Sequence, residues 1–311
     1  MSVQRVPQAS TYEEGDRQRL ASLERLVRRL HVSNGIAYTV LYILAALVSL
    51  IFIGVIVYLL AKGFAYLINP AFYAGTGDSA IGAQLFNTFY ILILSEIILI
   101  PISLAAAIYL IEYARQGPLV TAIHFAAETL AGVPSLVLGL FGFLVFGSLL
   151  ALGTTRLTGA LTLLCLNLPL AVRLYEDALA SVPRDLREGG LALGSTKWHM
   201  IRTVVLPSAL PGIVTAIILS AGKIIAEAAA LIFTMGTSNP GNVFTLNPLI
   251  GSDNLTIRIW YVQTLGAGAV DPKAVNSVSA GGAAVLILVL LIINLGARGI
   301  GRVIQRRVTA A

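Results

Sequence analysis

The chain reads as an all-α, polytopic membrane protein, and three features of the sequence predict that class. Of its 311 residues 57% are hydrophobic and 12% charged, against about 25% charged in an ordinary soluble domain. The mean hydropathy is +0.86. The apolar residues also gather in runs long enough to cross a bilayer, which takes about 20 residues per helix. A water-soluble globule is thereby excluded, and the length leaves room for about six spans.

Residues 1–35 form a polar, basic arm that can be partly helical near the membrane. Ile36 to Leu60 is uncharged and rich in Leu, Ile and Val. It is too long for a secretory apolar region of about 7 to 15 residues, so it is expected as the first, retained span. The second span covers 84–111, interrupted by Glu96. Residues 117–132 carry His124 and Glu128 and read as an interfacial helix leading into Pro134. The third and fourth spans follow over 133–152 and 157–172, and the fifth, over 207–235, holds Lys223 and Glu227. Residues 275–297 are charge-free and make the sixth, so the transmembrane domain covers 36–300 and residues 301–311 are a tail.

The basic residues orient these spans. Arg5, Arg17, Arg19, Arg25, Arg28 and Arg29 precede the first span and Arg115 follows the second. Arg173, Arg184, Arg187, Lys197 and Arg202 lie between the fourth and fifth, and Arg298, Arg302, Arg306 and Arg307 in the tail. Only Lys62, Arg156, Arg258 and Lys273 fall on the opposite side, and Lys223 within the membrane. The positive-inside bias therefore puts both termini in the cytoplasm, as an even span count requires. The external connection, 236–274, is dominated by turn chemistry at Asn239-Pro240-Gly241, Asn247-Pro248 and Gly266-Ala267-Gly268. Cys165 stands alone, so no internal disulfide or thiolate metal cluster can form.

The cytoplasmic connection holds the most chemistry. Pro183 suits the first turn of a helix, Asp185 and Glu188 complement its positive end, and Gly194 suits a stop before a second helix capped by Ser195 or Thr196. Leu186, Gly190, Leu191 and Leu193 cannot all face water, so one side is expected to meet lipid or a partner protein. The run Glu188-Gly189-Gly190-x3-Gly194-x9-Val204-x-Leu206-Pro207 resembles the EAA loop of ABC importer permeases, E-A-A-x3-G-x9-I-x-L-P, with matching spacing throughout. The resemblance implies that 181–207 is a coupling helix docking on a cytoplasmic ATPase. It also implies that Arg187, Glu188, Gly189, Gly190, Leu193, Gly194, Leu206 and Pro207 serve that coupling. Gly189 and Gly190 replace Ala, which costs a helix up to about 1 kcal/mol each. Further stretches narrow the family. Ala131-Gly-Val-Pro-Ser135, Ile108-Tyr-Leu-Ile-Glu-Tyr113, Glu176-Asp-Ala-Leu179 and Lys223-Ile-Ile-Ala-Glu227 followed by Leu231-Ile-Phe-Thr234 are similar to the PstA family of phosphate-importer permeases. Where that family commonly carries Arg in the fifth span, this chain has Lys223.

Lys223 needs a partner or a function, because a mid-bilayer cation costs about 2.5 to 3.5 kcal/mol. Glu227, four residues on, could pair with it on one helix face, and Glu96 adds a second acid at mid-membrane. Two readings stay open. Either the three line a pathway on which the lysine offers a passing anion a weak contact, or they neutralise one another and lock neighbouring helices. His31, His124 and His199 share no metal-ligand spacing, so no metal site is expected.

No G-x-x-x-x-G-K-[ST] is present, since Gly222-Lys223 is followed by Ile224 inside a span. The chain is thus expected to be no enzyme and to bind no cofactor, with ATP and magnesium held by a separate ATPase subunit. The resemblance implies a type I ABC importer permease fold in the cytoplasmic membrane of a prokaryote. The implied partners are a homologous second permease, two ATPase copies and an external phosphate-binding protein, with inorganic phosphate as substrate and no nucleic acid. The competing functions are a permease for another oxyanion, sulfate or molybdate, and, from other classes, a membrane-embedded enzyme or a passive channel. The EAA spacing argues against the last two, which have no use for an ATPase dock.

Overall fold

The computed structural model describes residues 9–75, 77, 79–237, 244–264 and 271–309. The turn signals at Asn239-Pro240-Gly241 and Gly266-Ala267-Gly268, like Arg5 of the arm, lie outside them. Every regular element described is a helix. Five helices are long and apolar enough to span a membrane, and a sixth span results if one bent pair is counted as a unit.

The chain divides into two compact units, Met1–Tyr58 and Leu59–Ala311. The described residues of the first, 9–58, belong to α1 (Ala9–Leu67), a helix of 59 residues. Its backbone is helical from Ala9, well before the expected start of the span at 36, since no Pro interrupts 9–35 and the helix runs through the turn-prone Asn34-Gly35. Within 36–58 the side chains are apolar but for Thr39, Ser49 and the tyrosines, and none is buried. That is what a helix must present to lipid once its own backbone groups are satisfied.

The second unit is a bundle centred on α5 (Arg156–Ala180). It packs most extensively against α2 (Gly82–Ile108) and α8 (Leu206–Ala226), and α12 (Gly282–Thr309) covers α8. Ile91, Leu99, Leu163, Leu179, Ile201 and Ile224 are among the side chains that close this core. Small residues let the helices approach, as lipid-immersed bundles require. Gly142 lies against Thr162, Gly139 against the backbone of Ala230, and Gly212 against Ala178, so a Cβ at any of them would collide. Pro101, Pro169 and Pro211 sit inside α2, α5 and α8, each removing one backbone donor.

Several helices differ from their expected bounds. The fourth span is longer than 157–172, because α5 continues two turns beyond Val172 on a polar but helix-compatible sequence, Arg173 to Ala180. Between the second and third, α3 (Pro118–Ala131) and α4 (Ser135–Gly142) meet at 101°, the chain turning at Gly132-Val133-Pro134. α4 runs on as a π-helical stretch to Leu149. The fifth span is not continuous over 207–235. One helical course begins at Lys197 as α7 (Lys197–Met200), passes through a π-turn at Ile201–Val205 and becomes α8, which ends at Ala226. Glu227 is extended (φ −76°, ψ 128°), and a separate short α9 (Ala229–Thr234) follows. Beyond it come α10 (Leu255–Thr264) and α11 (Pro272–Asn276), the latter joined by a π-turn to α12.

Candidate functional site

The connection between α5 and α7 folds into α6 (Arg184–Ala192). Pro183 stands immediately before it rather than in its first turn, and Asp185 supplies the acidic first turn. Gly194 takes φ +81°, the left-handed conformation that ends a helix at least cost to glycine. Of the two expected caps it is Thr196 that acts, accepting from the His199 backbone N–H at 3.3 Å, while the Ser195 hydroxyl donates to the Gly190 carbonyl at 2.6 Å.

No residue of α6 is buried. Leu186, Leu191 and Trp198 are exposed, and Leu193 is 90% exposed, a concentration of bare apolar side chains that a partner surface explains and water does not. Glu188 and Gly189 lie open, and nothing stands within 4 Å of a Cβ placed on Gly189. Gly190 faces the Cβ and Cγ of Met200. Pro207 is exposed and Leu206 half-buried where α8 starts.

Arg187 behaves differently from its neighbours. Its side chain turns inward, with Nε 3.1 Å from the Glu112 carboxylate and a guanidinium N–H donating to the Leu179 carbonyl at 2.7 Å. The carboxylate belongs to the π-turn Tyr109–Tyr113 that ends the α2 course. Lys197 grips the same turn, donating to the Glu112 carbonyl and lying 5.0 Å above the Tyr113 ring. Nearby, His124 of α3 meets Glu176 of α5 at 3.0 Å. A cleft of about 410 Å³ opens here, lined by Ile111, Glu112, Ala180, Arg184, Arg187 and Glu188.

The expected pairing of Lys223 with Glu227 and Glu96 is not formed. α8 ends between the first two, so the four-residue spacing no longer puts them on one face; the Glu227 carboxylate instead accepts from the Ala230 N–H at 3.1 Å and caps α9. Glu96 is buried at 8% exposure and accepts from the Ser220 hydroxyl of α8 at 2.6 Å, while its other oxygen finds no partner among the described residues. Lys223 is left exposed in the last turn of α8.

A polar cluster that sequence reasoning missed lies at the other end of the bundle. Arg156, counted above only as an external charge, is 0% exposed. It donates to the Ser252 hydroxyl at 2.9 Å, to Asn87 Oδ1 at 2.6 Å and to the Thr245 carbonyl, with its guanidinium 4.7 Å above the Tyr90 ring. Asp253 is equally buried, accepts from Gln84 Nε2 at 3.3 Å, and is bonded through its backbone carbonyl by Asn87. Burial pushes the Asp253 carboxyl up to about 6, against smaller opposing effects of Gln84 and Arg258. The available signal was Gln84, Asn87 and Thr88, polar residues at helical spacing on one face of an apolar span.

The sequence and the fold of this chain both have counterparts among known proteins. A family described as binding-protein-dependent transport system inner membrane component matches residues 99–310. The chain belongs to that family. The permease is 39% identical over 282 residues to the probable ABC transporter permease protein YqgI of Bacillus subtilis, covering 86% of this chain and 94% of that one. It is 35% identical over 214 residues to the phosphate transport system permease protein PstA 1 of Mycobacterium tuberculosis, covering 68% and 67%. Among solved structures its fold is similar to the inward-facing MetNI methionine ABC transporter, with TM-score 0.54, 19% identity and coverage of 72% and 93%. It is also similar to a bacterial alginate ABC transporter in complex with an alginate-bound periplasmic protein, with TM-score 0.53, 17% identity and coverage of 76% and 82%. The permease thus has the fold of type I ABC importer subunits.

Proposed function

We propose that this permease carries inorganic phosphate inward through a path shared with a homologous second subunit, driven by two copies of a separate ATPase docked on α6. The observation that carries the reading is α6 itself. Bare Leu186, Leu191, Leu193 and Trp198 face outward within and beside the stretch that carries the EAA spacing, while Arg187 is anchored inward. Phosphate is supported by the relative named for phosphate transport and by Lys223, an exposed cation inside a span. The lysine touches the passing anion as a weak point charge, and Glu227 and Glu96 hold α9 and α8 around it. ATP and magnesium bind on the ATPase copies, and an external binding protein delivers the anion on the 236–274 side. The excess of basic residues on the α6 side supports a multi-pass protein of the cytoplasmic membrane with both termini inside. The deciding experiment is ATP-driven uptake of phosphate by the purified assembly, with sulfate, molybdate and arsenate as competitors. Competition by arsenate alone supports phosphate, and uptake blocked by molybdate or sulfate assigns another oxyanion.

A further inference from the structure

We propose that the Arg187–Glu112 ion pair is the strut through which movement of α6 reaches the α2 course, which makes both of them positioning residues for coupling. This rests on the reading of α6 as the ATPase dock. Because α6 buries no residue of its own, what joins it to the bundle, apart from the chain entering and leaving it, is a small set of contacts. Gly190 against Met200 ties it to the start of the fifth helical course, to which it is already linked by sequence. Arg187 is different, since it reaches an element far away along the chain: the carboxylate of Glu112, with the Leu179 carbonyl beside it.

The contact is an ion pair at 3.1 Å rather than a hydrogen bond, since Arg187 Nε and Glu112 Oε1 do not align as donor and acceptor. The side chains of Arg187 and Glu112 are 17% and 6% exposed, so the pair is shielded from the solvent that weakens surface ion pairs. Lys197, just past α6, holds the backbone carbonyl of the same Glu112 and the ring of Tyr113, so the last turn of the α2 course is gripped both from within the loop helix and from just beyond it. That turn is π-helical, a geometry that accommodates shifts of register. Farther along α2, Glu96 is bonded to Ser220 of α8, one turn before Lys223. A displacement of α6 therefore pulls on α2 through the strut as well as on α5 and α8 through the chain.

The test uses the complete transporter in proteoliposomes and reads uptake per ATP hydrolysed, alongside the amount of assembled complex. Arg187→Met, Glu112→Gln and the double variant are each expected to lower that ratio about tenfold, the double no further than either single, because all three break one link. Arg187→Lys, which keeps the charge pair, is expected to stay within about threefold of the parent. The double variant leaves no buried charge unpaired, so it decides the matter even where a single variant fails to assemble. A double variant that couples like the parent overturns the strut, and so do single effects that multiply. A parent complex without ATP-driven uptake tells instead against the importer reading.

Discussion

Lys223 is exposed in a span whose neighbouring acids are engaged elsewhere, Glu227 on the Ala230 N–H and Glu96 on Ser220. Among the described residues neither acid therefore offsets its charge. Lys223→Gln is expected to cut uptake at least about tenfold with the complex intact, and Lys223→Arg to retain it, since charge matters here more than shape. Normal uptake by the Gln variant removes the lysine from the pathway. Asp253 makes a prediction in pH. Its folded pKa of about 6 lies above its ordinary value of 3.8, so the folded state holds the proton more tightly. The stability this contributes is complete below pH 4, is lost as pH rises toward 6, and is flat above. Thermal unfolding in detergent across pH 4 to 7 should show that decline, and Asp253→Asn should flatten it.

Two elements owe their position to one residue each. The segment 245–254 is held down by Arg156, which replaces water for a hydroxyl, an amide and a carbonyl at once. Arg156→Ala leaves those groups buried and unbonded, at about 1 to 3 kcal/mol for each group. It is expected to lower the melting temperature and open 245–254 to protease, and an unchanged digestion pattern would show that the clasp is dispensable. α6 depends on Gly194, whose φ of +81° strains any side chain. Gly194→Val should uncouple hydrolysis from uptake without loss from the membrane. Gly189→Ala should do neither, because the added methyl meets nothing and favours the helix by up to about 1 kcal/mol. The glycines of the loop thus have different duties despite standing five residues apart.

For the whole molecule the testable property is orientation. In intact cells, with Cys165→Ser as background, a cysteine at Lys273 is expected to react with a membrane-impermeant maleimide. One at Trp198, also exposed, should react only after permeabilisation. The reverse pattern would place α6 outside and end the coupling assignment.

Composition and long apolar runs determined the class and left room for about six spans, of which the structure has five or six, because crossing a bilayer is a demand on length and hydropathy that any partner arrangement must meet. The loop helix was equally legible, since Pro183, Gly194 and Thr196 act locally through backbone conformation and capping. Only the tertiary structure decided where side chains point. It turned Arg187 inward to Glu112, buried Arg156 and Asp253 in one cluster, and broke the helix between Lys223 and Glu227. The reason is physical: a polar group withdrawn from water must find a partner in space, and the partner at hand can be dozens of residues away along the chain.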